Sequence, residues 1–96
     1  MPPASLIALP VYNEAAHVDH VLDQVLLHCQ HVLVVDDGST DETAAHLAKR
    51  TDVRVETHTT NRGYGAALLT AFEYAITHRF DVVVTVDCDG QHEPKQ

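Results

Sequence analysis

Basic residues are scarce in this chain. Six Lys and Arg stand against fourteen Asp and Glu, a formal charge of −8 over 96 residues with the eight histidines neutral. So acidic a surface repels the phosphates of nucleic acid and the headgroups of anionic membranes, which excludes nonspecific binding to either. It also repels any phosphate-bearing ligand unless a cation intervenes. Cysteine is equally sparse. Cys29 and Cys88 lie far apart in no paired motif, which points to a reducing compartment rather than a disulfide framework. No apolar run is long enough to cross a membrane, and no basic segment precedes a long apolar core at the N-terminus. The expected location is therefore cytoplasmic, or the cytoplasmic face of a membrane for a full-length form. Internal repeats, low-complexity tracts and linkers are lacking too, and the length allows at most one small domain.

What is present reads as an ordinary globular core, with 45% hydrophobic residues. Leu6-Ile7-Ala8-Leu9, Val32-Leu33-Val34-Val35 and Val82-Val83-Val84 are continuous apolar runs, the mark of parallel strands buried on both faces. Val53-Arg54-Val55-Glu56-Thr57 alternates instead, as an edge strand does. Between the strands lie helical patterns. Val18, Val21, Leu22, Val25 and Leu26 recur at helical spacing. Ser39 and Glu42 have capping-box spacing ahead of Ala44, Ala45, Leu47 and Ala48, which are expected to face inward. A third helix follows the Gly63-Tyr64-Gly65 turn and carries Ala67, Leu68, Ala71, Phe72, Ala75 and Ile76. The order β-α-β-α-β-α-β predicts a parallel α/β unit.

Each chemically suggestive segment follows the carboxyl end of a predicted buried strand, the rim where open α/β sheets bind ligands. Pro10-Val11-Tyr12-Asn13-Glu14 follows the first, Asp36-Asp37-Gly38-Ser39-Thr40-Asp41 the second, and Asp87-Cys88-Asp89-Gly90-Gln91-His92 the last. Extended backbone would place Asp87 and Asp89 on one face, and a turn at Gly90 would bring Gln91 back toward them. Two carboxylates with an amide oxygen make a hard oxygen site suited to Mg²⁺ or Mn²⁺; the plainer reading is that they are solvated loop residues. Tyr12 could lie against a nucleobase, and Glu14 or Asp37 could accept hydrogen bonds from base or ribose. Asn13 reads equally well as a cap of the first helix, Asp36 as a loop-orienting residue and Asp41 as support for the next helix. Arg62 reads as solvated surface or as a contact to an anionic ligand. His17 and His20, with Asp19 and Asp23, read as a polar helix face rather than a zinc site, because no further ligand arrives at zinc spacing.

Four segments together, Pro10–Glu14, Val34–Asp41, Asn61-Arg62-Gly63-Tyr64-Gly65-Ala66-Ala67 and Asp87–His92, resemble in order and spacing the family-2 glycosyltransferases of the GT-A fold. The Asp-x-Asp-Gly-Gln-His variant is most similar to the dolichyl- or polyprenyl-phosphate sugar transferase branch. The resemblance covers nearly the whole chain. It implies a Rossmann-like sheet with helices on both faces, a GDP- or UDP-sugar donor, Mg²⁺ or Mn²⁺, and an acceptor such as a polyprenyl phosphate. Pro10, Tyr12, Glu14, Val35 and Asp37 would line the nucleoside pocket, and Asp87, Cys88 and Asp89 would contact the donor. Asp89 and Gln91, with Asp87, would bind the metal. Residues 1–96 would then be the nucleotide-sugar-binding part, without an acceptor half and inactive alone, and no residue stands out as catalytic base. Two alternatives remain from other classes. One is a noncatalytic module that self-associates through an exposed sheet edge. The other is a response-regulator receiver domain, with Asp36-Asp37 as its acidic pair and Asp87 as phosphoacceptor.

Overall fold

The computed structural model describes residues 4–88. In chain order they form β1 (Ser5–Val11), α1 (Val18–Leu26), β2 (Val32–Asp37), α2 (Thr43–Ala48), β3 (Arg54–His58), α3 (Tyr64–Thr77) and β4 (Val82–Thr85). The strands make one sheet in the order β3-β2-β1-β4, with every neighbouring pair parallel. The expected α/β class and the edge position of the third strand are both observed.

Side-chain alternation splits the core between the two faces of the sheet. On one face Leu6, Ala8, Leu33 and Val35 meet Ala67, Ala71 and Ala75 of α3. On the other, Leu9, Val11, Val32 and Val34 meet Val18, Leu22 and Leu47 from α1 and α2. β2 lies between two strands and under helices on both sides, so all six of its residues are buried. That includes Asp36 and Asp37.

Several expectations are corrected. α3 turns its alanines to the sheet, which leaves Phe72 and Ile76 exposed on the adjoining flank. Three alanines four residues apart form a smooth ridge, and only methyl-sized side chains let the helix axis approach Leu33 and Val35 closely. α2 is a single short helix of six residues that buries Thr43 and Leu47, while Ala44, Ala45 and Ala48 face solvent. Its start is not a capping box, because Ser39 Oγ is taken by the Asn13 amide. Asp41 Oδ1 instead accepts the Thr43 N–H at 2.8 Å. Gly65 lies inside α3 rather than in a turn before it. β4 is apolar but not buried on both faces: Val82 and Val84 are exposed. Among the described residues it pairs with β1 alone, and α1 and α2 cover the sheet on the far side of that seam.

Candidate functional site: a cleft at the carboxyl ends of the strands

β1 is followed by a chain that leaves toward β2, whereas β4 enters from the other side, so the strand order reverses at β1. Loops that diverge from such a point leave a crevice at the carboxyl ends of the strands. A cleft of about 560 Å³ opens there. Its walls come from Pro10, Val11, Tyr12 and Glu14 after β1, and from Asp37 at the end of β2. Asn61, Gly63, Tyr64 and Ala67 approaching and opening α3, with Asp87 and Cys88 beyond β4, complete it.

Side-chain hydrogen bonds hold these loops to one another. Asn13 has φ of 53° and is not a helix cap. Its Oδ1 accepts the N–H groups of Thr40 (2.7 Å) and Asp41 (3.2 Å), and its own N–H donates to Ser39 Oγ at 2.9 Å. One residue on, the Glu14 N–H donates to the buried Thr43 Oγ1 at 2.9 Å, while the Glu14 carbonyl receives His17 and Val18 and opens α1. Asp36 does orient its loop, accepting the Ser39 N–H at 3.1 Å. Gly38, with φ of 75°, sits so close to the chain after β3 that an added Cβ would lie 2.4 Å from the Asn61 nitrogen.

Asp37 is engaged at both carboxylate oxygens. Its Oδ1 accepts the Arg62 N–H at 2.9 Å and lies 2.7 Å from His58 Nδ1, and its Oδ2 accepts the Gly63 N–H at 2.8 Å. Burial pushes its carboxyl up, but the Arg62 amide, the His58 ring and the Gly63 amide together outweigh that and hold it below the ordinary carboxylate value. The positive end of α3 therefore already faces a carboxylate of the protein itself. Across the cleft mouth, the Tyr64 hydroxyl lies 3.5 Å from Asp87 Oδ1.

The structure thus brings six of the residues singled out in the sequence, Pro10, Tyr12, Glu14, Asp37, Asp87 and Cys88, onto one cavity. Val35 is not among them; it is buried in the core against α3. Asp89 and Gln91 lie outside the described residues. Arg62 is exposed and does not line the cleft. The Asp19 and Asp23 carboxylates pair with Arg50 beyond α2, at 2.9 and 2.8 Å, and Asp19 also meets His46 at 2.8 Å. Among the described residues no group of three His, Cys, Asp or Glu is placed to hold a metal. Sequence reasoning gave no role to Asn61, Tyr64, Thr43 or His58. The first two sit in the quoted Asn-Arg-Gly-Tyr-Gly segment, which was the available signal. His58 had none, because the alternating edge-strand pattern ends at Thr57.

A parallel sheet with a crevice at its strand reversal defines an open α/β protein, a class whose ligand sites lie at that point. The chain matches the family model for Glycosyl transferase family 2 over residues 6–96, and it belongs to that family. The receiver-domain alternative is thereby set aside. The chain is 36% identical over 99 residues to polyprenol monophosphomannose synthase of Mycolicibacterium smegmatis, covering 96% of this chain and 37% of the relative. It is 38% identical over 101 residues to undecaprenyl-phosphate 4-deoxy-4-formamido-L-arabinose transferase of Pseudomonas fluorescens, covering 94% and 29%. With undecaprenyl-phosphate mannosyltransferase of Micrococcus luteus it shares 34% identity over 97 residues, covering 95% and 40%. The chain therefore spans well under half the length of these curated relatives.

Proposed function

We propose that this chain is the donor-binding part of a glycosyltransferase that moves a sugar from a nucleoside diphosphate to a polyprenyl phosphate. The observation that carries this reading is the cleft itself, in which segments from the ends of β1, β2 and β4 meet the start of α3. Its volume suits a nucleotide-sized ligand. The names of the relatives, each of which refers to a polyprenol or undecaprenyl phosphate, support the acceptor class.

In this reading Tyr12, exposed on the rim, offers a flat apolar face to the base, and Glu14 is placed for donors of the base or ribose. Asp37 contributes by holding the Arg62–Gly63 turn rather than by offering unused oxygens. Asp87 brings a carboxylate to the cleft mouth, the hard donor a divalent cation takes, and Asp89 and Gln91 would complete its ligand set. Bound there, Mg²⁺ or Mn²⁺ would offset the repulsion between an acidic protein and a diphosphate and stabilise charge on the leaving group. Two cysteines in no paired motif support a reducing, cytoplasmic setting; no described helix is long and apolar enough to cross a membrane.

Calorimetric titration of the chain with UDP and GDP, each with Mn²⁺, Mg²⁺ or a chelator, tests this. The expected result is saturable binding of one nucleotide that weakens at least tenfold on chelation. Binding indifferent to the chelator overturns the metal role, and binding of neither nucleotide overturns the donor site.

A second reading concerns association rather than catalysis. β4 exposes Val82 and Val84, and among the described residues its outer edge has no strand partner, which favours pairing with a second copy. A sedimentation mass that stays monomeric across a hundredfold concentration range would remove it.

A further inference from the structure

We propose that His58 is a positioning residue of the cleft, holding Asp37 in the orientation that fixes the Arg62–Gly63 turn and the start of α3. This deepens the donor-binding reading and rests on it. His58 closes β3, and it is the one buried residue of that strand after four exposed ones. Its ring is held at both nitrogens: Nδ1 lies 2.7 Å from Asp37 Oδ1, and Nε2 lies 2.8 Å from Thr70 Oγ1 in α3. A carboxylate only accepts hydrogen bonds, so Nδ1 carries a proton toward Asp37, while Nε2 meets the Thr70 hydroxyl, which can pair with either form of that nitrogen.

The ring does not line the cleft, whereas Asp37, Gly63 and Tyr64 do. Whatever His58 does for a ligand it therefore does through Asp37. Asp37 Oδ1 is shared between the His58 ring and the Arg62 N–H, and Oδ2 is left to the Gly63 N–H. Without the ring, the carboxylate can rotate about its Cα–Cβ and Cβ–Cγ bonds, and both amides lose a fixed acceptor. The next residue along is Tyr64, whose hydroxyl reaches toward Asp87. An apolar side chain would fill an edge-strand position at lower desolvation cost, so an imidazole bonded at both ends there indicates that the bonds matter.

The test combines nitrogen-detected NMR of the His58 tautomer, the Arg62 and Gly63 amide resonances, and nucleotide titration of the same samples. His58→Asn keeps an N–H donor near the Nδ1 position; it is expected to preserve both amide resonances and to bind nucleotide within about twofold of the unaltered chain. His58→Leu is expected to move both amide resonances upfield and weaken nucleotide binding by about tenfold. Should the leucine variant not fold, Thr70→Val releases the ring at its other end and is expected to move the same resonances by less. Unchanged amide resonances in His58→Leu, or an asparagine variant no better than leucine, overturn the proposal. If the unaltered chain binds neither UDP nor GDP, the donor reading falls, and the amide resonances alone decide the role of His58.

Discussion

Asn13 Oδ1 accepts the backbone N–H of Thr40 at 2.7 Å, joining two loops 27 residues apart in the chain and setting the spacing between the β1 and β2 walls of the cleft. Asn13 does so from a left-handed backbone, φ 53°, which asparagine tolerates better than most residues. Asn13→Ala removes the acceptor for Thr40 and Asp41 and leaves the backbone where alanine is strained. The expected loss is about 1–3 kcal/mol of stability, read as a lower urea midpoint at unchanged slope.

Gly38→Ala is expected to cost more. Its Cβ would stand 2.4 Å from both the Asn61 nitrogen and the Thr60 carbonyl carbon, and both of those atoms are backbone. Neither can rotate away, so β2 and the chain after β3 must separate. Stability should fall by about 3–5 kcal/mol, enough to unfold much of the population at room temperature. Circular dichroism of the purified variant reads this directly.

Why some of this was legible in the sequence and some was not comes down to range. Unbroken runs such as Val32–Val35 marked strands with helices on both faces, and the motif segments at strand ends located the rim of the cleft. The faces of α2 and α3 were harder. Helical periodicity offered the alanine ridge and the Phe72–Ile76 side of α3 as almost one stripe, and fit to Leu33 and Val35 decided between them. Ser39 and Glu42 matched a local cap, but a partner 26 residues away, the Asn13 N–H, claimed the serine. His58 was invisible for the same reason. Its burial depends on Asp37 and Thr70, which no local pattern connects to it.

Arg50 is a further long-range case, held by Asp19, Asp23 and Asp52 at 2.8–3.1 Å. These carboxylates raise its already high pKa further, led by the hydrogen bond to Asp52. The guanidinium is mostly covered but its partners are largely open to water, so solvent screens much of the attraction. Arg50→Lys cannot span three carboxylates with one ammonium, and is expected to cost about 1 kcal/mol. Added salt should shrink the difference between the two proteins; a difference that grows with salt would count against an ionic origin.

Acid should destabilise the fold through four carboxylates. Asp19 and Asp52 are lowered chiefly by hydrogen bonds from Arg50, and Asp41 chiefly by the Thr43 hydroxyl. Asp37 is lowered because its three donors outweigh its burial. A carboxyl with a lower pKa folded than unfolded contributes stability that is whole above the unfolded value, about pH 4, and is lost as pH falls through the folded value. Urea midpoints are therefore expected to be lower at about pH 3 than at about pH 5, through this set of groups. Asp37→Asn should flatten part of that slope, which thermal melts across the same range would reveal.

The crossover that carries the chain from β3 through α3 to β4, on the far side of β1, has a consequence for how the molecule assembles. β1, β2 and β3 with α1 and α2 form from consecutive stretches, but β4 must close against β1 across most of the polypeptide, as the bond from the Ala4 N–H to Asp81 shows over a separation of 77 residues. So distant a closure is slow and comes at a high entropic cost before its contacts reward it. Asp87 and Cys88 lie just beyond β4, so the cleft gains this wall only once that strand has closed, and a refolding experiment should recover ligand affinity only with its slowest phase.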